Sequence, residues 1–233
     1  MKKLLSHNEL IEISNKFQLG FHLEFSGHQD SLKLSNHFHP FSLMESEANI
    51  VYDIIINNNL QYGYEIATAF GISSSAIGQA LKETNGLLVT MDAYIEEIYN
   101  DCNKYTMDSK MLNPESDGRK MAKKLYEFLE IENHVISEVG WSPDDVDGVI
   151  QKHFSDKKLD FAFIDGGHSG EQIDADVKSI ISYMNDNFVI FFHDSGCVLK
   201  TTWDFLSDNG FNNLKNFQTG FGLSVIGRGN VTI

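Results

Sequence analysis

Apolar positions recur along this chain with two different periods, and the switching between them predicts its elements. From Ser46 to Asn57 (SEANIVYDIIIN), Ile50, Val51, Ile54 and Ile55 fall at helical spacing, which predicts a helix laid on a sheet. Gln61–Ala67 reads as a short strand, Ser74–Glu83 as a helix opened by a serine-rich cap, and Leu87–Asp92 (LLVTMD) as a strand. Residues 93–114 are polar and read as an insertion. Asp117–Glu130 carries Met121, Leu125, Phe128 and Leu129 as an amphipathic helix, and His134–Val139 follows as a strand. Pro143–Phe154 is expected to be a helix, with Pro143 in its first turn and Ser142 at its cap. Leu159–Asp165 (LDFAFID) and Phe188–His193 (FVIFFH) are nearly continuous apolar runs, as in strands covered on both faces. Glu171–Met184 between them reads as a helix, Thr201–Leu206 as another, and Asn213–Phe217 and Gly222–Gly227 as two late strands.

Strands alternating with helices predict an α/β, doubly wound, Rossmann-like fold: a mostly parallel seven-stranded sheet with helices on both faces. Residues 1–42 have weak periodicity and are rich in His, Asn, Phe and Ser. They suggest a helical and loop extension, with a helix over Leu4–Phe17 and a loop around Gly27–Pro40. The expected division is therefore 1–43 as a substrate-covering segment and 44–233 as the main domain. In such sheets ligands bind where strands end, near the point at which strand order reverses. That directs attention to Glu65–Gly71, Asp92, Gly140, Asp165 and His193-Asp194.

Composition narrows the partners. The 233 residues suit one large domain, which can bury a core without disulfides or structural metals. Acidic residues number 33 against 18 basic, a net charge of −15 with histidine neutral. Such a surface repels phosphate backbones and anionic lipid, so neither nucleic acid nor membrane is expected as a partner. Cys102 and Cys197 form no CxxC pair and read as reduced thiols. The start Met1-Lys2-Lys3-Leu4-Leu5 soon meets His7, Asn8, Glu9 and Glu12, so no signal-type apolar region develops. No run approaches the roughly 18 apolar residues that span a bilayer. A cytoplasmic location is the expectation. Association with further copies of the chain is left open.

Two groups of residues carry chemistry. In the first, Tyr64 to Ser75 (YEIATAFGISSS), a strand passes through a turn of small residues into a helix whose N-terminal amides lack intrahelical partners. Asp92 ends the next strand, well placed to accept both hydroxyls of a ribose. In the second, Phe163-Ile164-Asp165-Gly166-Gly167-His168 and His193-Asp194 should meet at neighbouring strand ends. Asp165 and Asp194 offer the oxygens a hard divalent cation wants, and a metal-bound hydroxyl loses its proton more readily. His168 is a candidate base, since histidine titrates near neutrality.

The segments 64–75, 87–92, 135–142, 160–168 and 188–195 together resemble a class I S-adenosylmethionine-dependent methyltransferase. The likeness is to small-molecule, metal-dependent O-methyltransferases of the catechol and macrolide-sugar kind, and it spans about residues 44 to 227. It rests on EIATAFGISS at the first turn, Asp92 after the second strand, Gly140-Trp141-Ser142 after the third, and FIDGGH after the fourth. The resemblance implies S-adenosylmethionine as cofactor, its methionine end lined by Glu65, Ala67, Thr68, Gly71 and Ser73. Asp92 would hold the ribose, Gly140, Trp141 and Ser142 would border the adenine, and Asp165 would lie near the reacting centre. It also implies catalysis by His168 and Asp165, with Asp165, His193 and Asp194 around Mg²⁺. The family often has Gly where Ala67 stands, and usually a carboxylate where His193 stands. An imidazole there favours a transition metal over Mg²⁺.

The expected acceptor is a small hydroxylated molecule, a sugar or polyol of a natural product or glycan, with a catechol or an amino sugar as alternatives. A doubly wound nucleotide-dependent oxidoreductase is a second enzyme reading, but it needs a tighter glycine-rich turn. A cofactor-binding protein without turnover is a third, resting on Ala67 and His193. His22, His28, His37 and His39 lack an accompanying thiolate or carboxylate pattern and read as part of a substrate-covering loop. Asp144, Asp145 and Asp147 read as a solvated first helical turn.

Overall fold

A computed structural model describes residues 43–93, 117–211, 213–220 and 222–233. The expected extension, its four histidines, Cys102 and the 93–114 insertion fall almost wholly outside these residues. The described chain opens with α1 (Glu45–Asn57), then β1 (Tyr62–Ile66), α2 (Ile72–Thr84), β2 (Leu87–Asp92), α3 (Asp117–Leu129) and β3 (Val135–Val139). It continues with α4 (Val146–Phe154), β4 (Leu159–Ile164), α5 (Gly170–Ile180), β5 (Met184–His193), α6 (Lys200–Asp208), β6 (Asn213–Phe217) and β7 (Leu223–Arg228). No helix among the described residues is long and apolar enough to cross a membrane.

The sheet runs β3-β2-β1-β4-β5-β7-β6. The pairs β1·β2, β1·β4, β2·β3 and β4·β5 are parallel, and β7 is antiparallel between β5 and β6. Strand order reverses at β1, so the crevice outside the ends of β1, β2 and β4 is the switch point.

The apolar runs follow from this burial. In β4, Phe161 and Phe163 join one core layer with Val51 and Ile55 of α1, Ile77 and Leu81 of α2, and Leu125 of α3. Ala162 and Ile164 point the other way, to Val149 and Ile150 of α4, Ile173 and Val177 of α5, and Leu206 of α6. Phe191 and Phe192 divide in the same way, so neither face of the central strands can tolerate a polar stripe. Each such side chain contributes about 1.5–3 kcal/mol on leaving water.

Three expected elements shift, for identifiable reasons. The helix α2 starts at Ile72 behind Gly71, earlier than the serine-rich cap predicted. The serines lie inside its first turn and are buried, with the Ser74 hydroxyl 2.6 Å from that of Tyr126. The helix α4 begins at Val146 rather than Pro143, because the Ser142 hydroxyl is bound to Asp176 rather than to the helix. The helix expected through Met184 ends at Ile180, and a 3₁₀ turn over Ile181–Tyr183 leads into β5, whose Met184 already pairs with Leu159.

Candidate functional site

The turn after β1 passes through left-handed backbone and is held by hydrogen bonds within itself and to β2. Its N–H at Ala67 donates to Met91 O (2.9 Å), and that at Gly71 to Thr68 O (2.8 Å). Ala67 (φ 76°), Ala69 (φ 44°) and Gly71 (φ 81°) all lie in the left-handed region. Glycine adopts it freely, whereas alanine pays about 1–2 kcal/mol for its Cβ. At Gly71 a Cβ would also come within 2.6 Å of the Ala122 Cβ. The strand β2 holds the turn from the side: Thr68 Oγ1 lies 2.6 Å from Thr90 Oγ1, and the Ala69 N–H donates to Asp92 Oδ2 at 2.7 Å. No side chain caps α2, so its N-terminal amides face the turn with the positive end of the helix dipole behind them.

Glu65, in β1 beneath this turn, is fully buried, and neither carboxylate oxygen makes a well-formed hydrogen bond. Burial pushes its pKa up to about 8; the nearby Ser73 and Thr90 hydroxyls oppose this, while the charges of Asp165 and Asp92 reinforce it.

The turn after β3 is anchored at each residue by a different element. The Gly140 N–H donates to Asp92 O (3.0 Å), and a Cβ there would meet Met91 Sδ at 2.7 Å. The Trp141 N–H donates to Asp145 Oδ2 (2.7 Å), so Asp145 is a tether as well as part of a solvated turn. Asp147 likewise accepts from the Tyr183 hydroxyl. Ser142 Oγ–H donates to Asp176 Oδ1 (2.5 Å). Asp176 is buried, which raises its pKa to about 6 against the opposing bonds from Ser142 and Gln172.

The second group of residues meets at the ends of β4 and β5. The Asp165 N–H donates to Ile66 O (3.2 Å), fixing the start of the FIDGGH turn to β1. Ligand atoms of Asp165, His168 and Asp194 all lie within 4.8 Å of one another. His168 Nε2 is 3.2 Å from Asp194 Oδ2, and its side chain is 63 % exposed. His193, expected as a metal ligand, lies against the same acids: Nδ1 faces Asp165 Oδ1 (2.9 Å) and Asp194 Oδ2 (3.5 Å), while Nε2 faces Glu47 Oε2 (3.2 Å). Both ring nitrogens therefore face carboxylates as donors, and the ligand atoms that converge are those of Asp165, His168 and Asp194. Burial would lower the His193 pKa, but the Asp165 charge and the bonds to Asp165, Asp194 and Glu47 push it up to about 12. Glu47 is also buried, which alone would raise its pKa. Bonds to His193, Thr219 and the Met44 N–H, with the His193 charge, hold it below the usual carboxylate value instead.

Glu47 and Asp176 were not singled out in the sequence, yet a signal was present. Glu47 shares the helical stripe of Val51, Ile54 and Ile55, and Asp176 that of Ile173, Val177 and Ile180. A carboxylate inside an apolar stripe needs a buried partner.

A family model described as a methyltransferase domain matches residues 64–195. That match takes in the turns after β1, β3 and β4 and the end of β2, and ends beside Asp194. Among solved structures, the chain is similar to TomG of Streptomyces achromogenes, an O-methyltransferase of tomaymycin synthesis in complex with S-adenosylmethionine. Identity is 13 %, coverage 98 % of this chain and 99 % of that one, and the TM-score 0.61. An O-methyltransferase from Bacillus cereus in complex with S-adenosylhomocysteine matches with 13 % identity, 95 % and 97 % coverage and a TM-score of 0.61. A Podospora anserina methyltransferase bound to S-adenosylhomocysteine matches with 11 % identity, 99 % and 100 % coverage and a TM-score of 0.59. A comparison with curated proteins gives no significant match.

Proposed function

The chain belongs to the methyltransferase-domain family, and on that premise we propose that it transfers a methyl group from S-adenosylmethionine to an oxygen of a small hydroxylated acceptor, a sugar or polyol. The observation that carries this reading is Glu65: a fully buried carboxylate with no matching cation and no well-formed hydrogen bond, beneath a left-handed turn and beside an uncapped helix N-terminus. A zwitterionic amino acid bearing a sulfonium complements that arrangement, with cationic parts toward the acid and its carboxylate toward the helix amides. Glu65, Ala67, Thr68, Gly71 and Ser73 would line the methionine end. Asp92, with one oxygen on the Ala69 N–H, would offer the other side of its carboxylate to the ribose. Gly140, Trp141 and Ser142 would border the adenine. The cofactor supplies a methyl group on a good leaving group, so positioning and proton removal remain for the protein.

His168 and Asp194 provide the proton removal. Asp194 orients the ring through Nε2, which leaves Nδ1 to take the acceptor's proton, and the exposure of His168 leaves room for the acceptor. Asp165, beside the pair, helps to stabilise the resulting imidazolium. The crevice carries Glu65, Asp92, Asp165 and Asp194, which disfavours an anionic acceptor.

A second reading is favoured by the convergence of Asp165, His168 and Asp194, which could hold a divalent cation. Two carboxylates and an imidazole suit Mn²⁺, Fe²⁺, Co²⁺ or Zn²⁺ better than Mg²⁺. A ligated His168 could not also serve as the base, so the two roles exclude each other.

The test is a mass-spectrometric screen of hydroxylated acceptors for methyl gain, with wild type, His168→Ala and chelator-treated protein. Activity that survives chelation but is lost in His168→Ala supports the base. Activity lost on chelation and restored by Mn²⁺ or Co²⁺ supports the ligand. No binding of S-adenosylmethionine in calorimetry would overturn the proposal.

A further inference from the structure

We propose that Asp176, on α5 and outside the crevice, is a positioning residue for the nucleoside end of the cofactor site. The inference rests on the methyltransferase reading and assigns the control of the adenine-bordering turn to a residue that borders nothing itself. Asp176 lies in the buried stripe of α5 with Ile173, Val177 and Ile180, a place where an apolar side chain would pack without unmet polar needs. Its Oδ1 accepts from Ser142 Oγ (2.5 Å) and from Gln172 Nε2 (2.8 Å). The Gln172 amide also donates to the Ser142 carbonyl at 3.1 Å. One helical i, i+4 pair thus grips Ser142 by both its side chain and its backbone.

The other residues of that turn are held from elsewhere, Gly140 by β2 and Trp141 by Asp145. Only if Ser142 is also pinned does the Gly140–Ser142 backbone keep one shape. The second oxygen of Asp176, Oδ2, is buried without a hydrogen-bond partner. A Cβ on Gly166 would come within 3.1 Å of it, so the acid also lies against the turn that starts at Asp165. Asp176 therefore lies between the adenine-side turn, which it holds, and the turn that carries Asp165 and His168, which it packs against. Retaining a half-satisfied buried acid is costly in a position that serves packing alone, and the connection it makes accounts for it.

The experiment compares Asp176→Asn, Asp176→Leu and Ser142→Ala with wild type. The readouts are S-adenosylhomocysteine affinity by calorimetry, kcat and KM for S-adenosylmethionine, Tm, and amide exchange across 140–142 in the ligand-free protein. Asp176→Leu fills the stripe with apolar volume, so its Tm stays at or above wild type while affinity falls at least about tenfold. Asp176→Asn keeps one acceptor and loses about three- to tenfold, with kcat at saturation within about twofold. Ser142→Ala matches it, and the double variant Ser142→Ala/Asp176→Asn loses little more than either single one. Amide exchange at 141–142 accelerates in all of them. Should Asp176→Leu not fold, Asp176→Asn and Ser142→Ala give the same reading. Wild-type affinity and exchange in Asp176→Asn would overturn the assignment while leaving the methyltransferase reading intact. A wild-type protein that binds no S-adenosylhomocysteine would overturn both.

Discussion

Replacing His193 by glutamine should cost this protein more stability than any surface change. The ring stands between Glu47 Oε2 at 3.2 Å and Asp165 Oδ1 at 2.9 Å, and its side chain is only 5 % exposed. At an effective dielectric of about 20, each contact is worth on the order of 5 kcal/mol of attraction. Burial of the three charged groups consumes most of that gain, so the net value of the cluster is small. Removing only the cation does not restore the solvation, because Glu47 and Asp165 are left facing each other without it. Breaking a buried pair in this way costs about 3–5 kcal/mol. For a chain of this size, that lowers Tm by roughly 6–20 °C. Thermal unfolding followed by circular dichroism measures it. The double variant Glu47→Gln/His193→Gln should recover part of the loss, since two opposite charges leave together.

The same cluster sets a pH dependence. The folded pKa of His193, about 12, lies above its unfolded value, so its contribution is complete below about pH 6.5 and declines as pH rises toward 12. Glu47 has a lowered folded pKa, so its contribution is present above about pH 4.5 and is lost as pH falls through the folded value. Between pH 7 and 10 the wild-type Tm should therefore fall more steeply than that of His193→Gln. A His193→Gln protein melting within about 2 °C of wild type, with a parallel pH profile, would refute the account of the cluster.

Gly71→Ala meets both a left-handed backbone and the Ala122 Cβ at 2.6 Å, and should cost about 2–4 kcal/mol, read as a lower Tm by chemical or thermal unfolding. Ala67→Gly removes left-handed strain but adds freedom to the unfolded chain, for a gain of up to about 1 kcal/mol and a Tm raised by up to roughly 4 °C. Glu65 binds a proton at pH 7 with its pKa near 8, so uptake of a cationic ligand should release close to one proton, about 0.9 by its titration. Calorimetry in buffers of different ionisation enthalpy measures that release; Glu65→Gln should abolish it while raising the ligand-free Tm at pH 8.

Much of the fold was legible because its strands are buried on both faces. LDFAFI and FVIFFH carry no polar alternation, which a half-exposed strand would show, and the chain order of strands and helices then dictates a parallel sheet. The acids at strand ends were legible for a related reason: Asp92 and Asp165 break apolar runs where the chain leaves the core. What stayed hidden depended on partners distant in sequence. Ser142 precedes Pro143 like a helix cap, and only the tertiary position of α5 assigns its hydroxyl to Asp176. The sequence places His193 beside Asp194, but only the tertiary position of α1 brings Glu47 to its other nitrogen. The left-handed conformations of Ala67 and Ala69 are not written in alanine, whose choice there announces only that little space is available.

Three buried acids show how partner chemistry sets the pKa of a carboxylate that has lost its water. Glu47 receives a cation, His193, and its pKa falls below the ordinary value. Asp176 receives neutral donors on one oxygen only, and its pKa rises to about 6. Glu65 receives no well-formed bond on either oxygen and has Asp92 and Asp165 as like-charged neighbours, and its pKa rises to about 8. All three have lost water to a similar degree, so the differences come from what replaced it. Glu47 is matched within the fold and ties α1 to the sheet. Glu65 has no matching cation within the fold, and it lies in the strand at which strand order reverses. On the proposed function, that mismatch is what a cationic ligand would relieve.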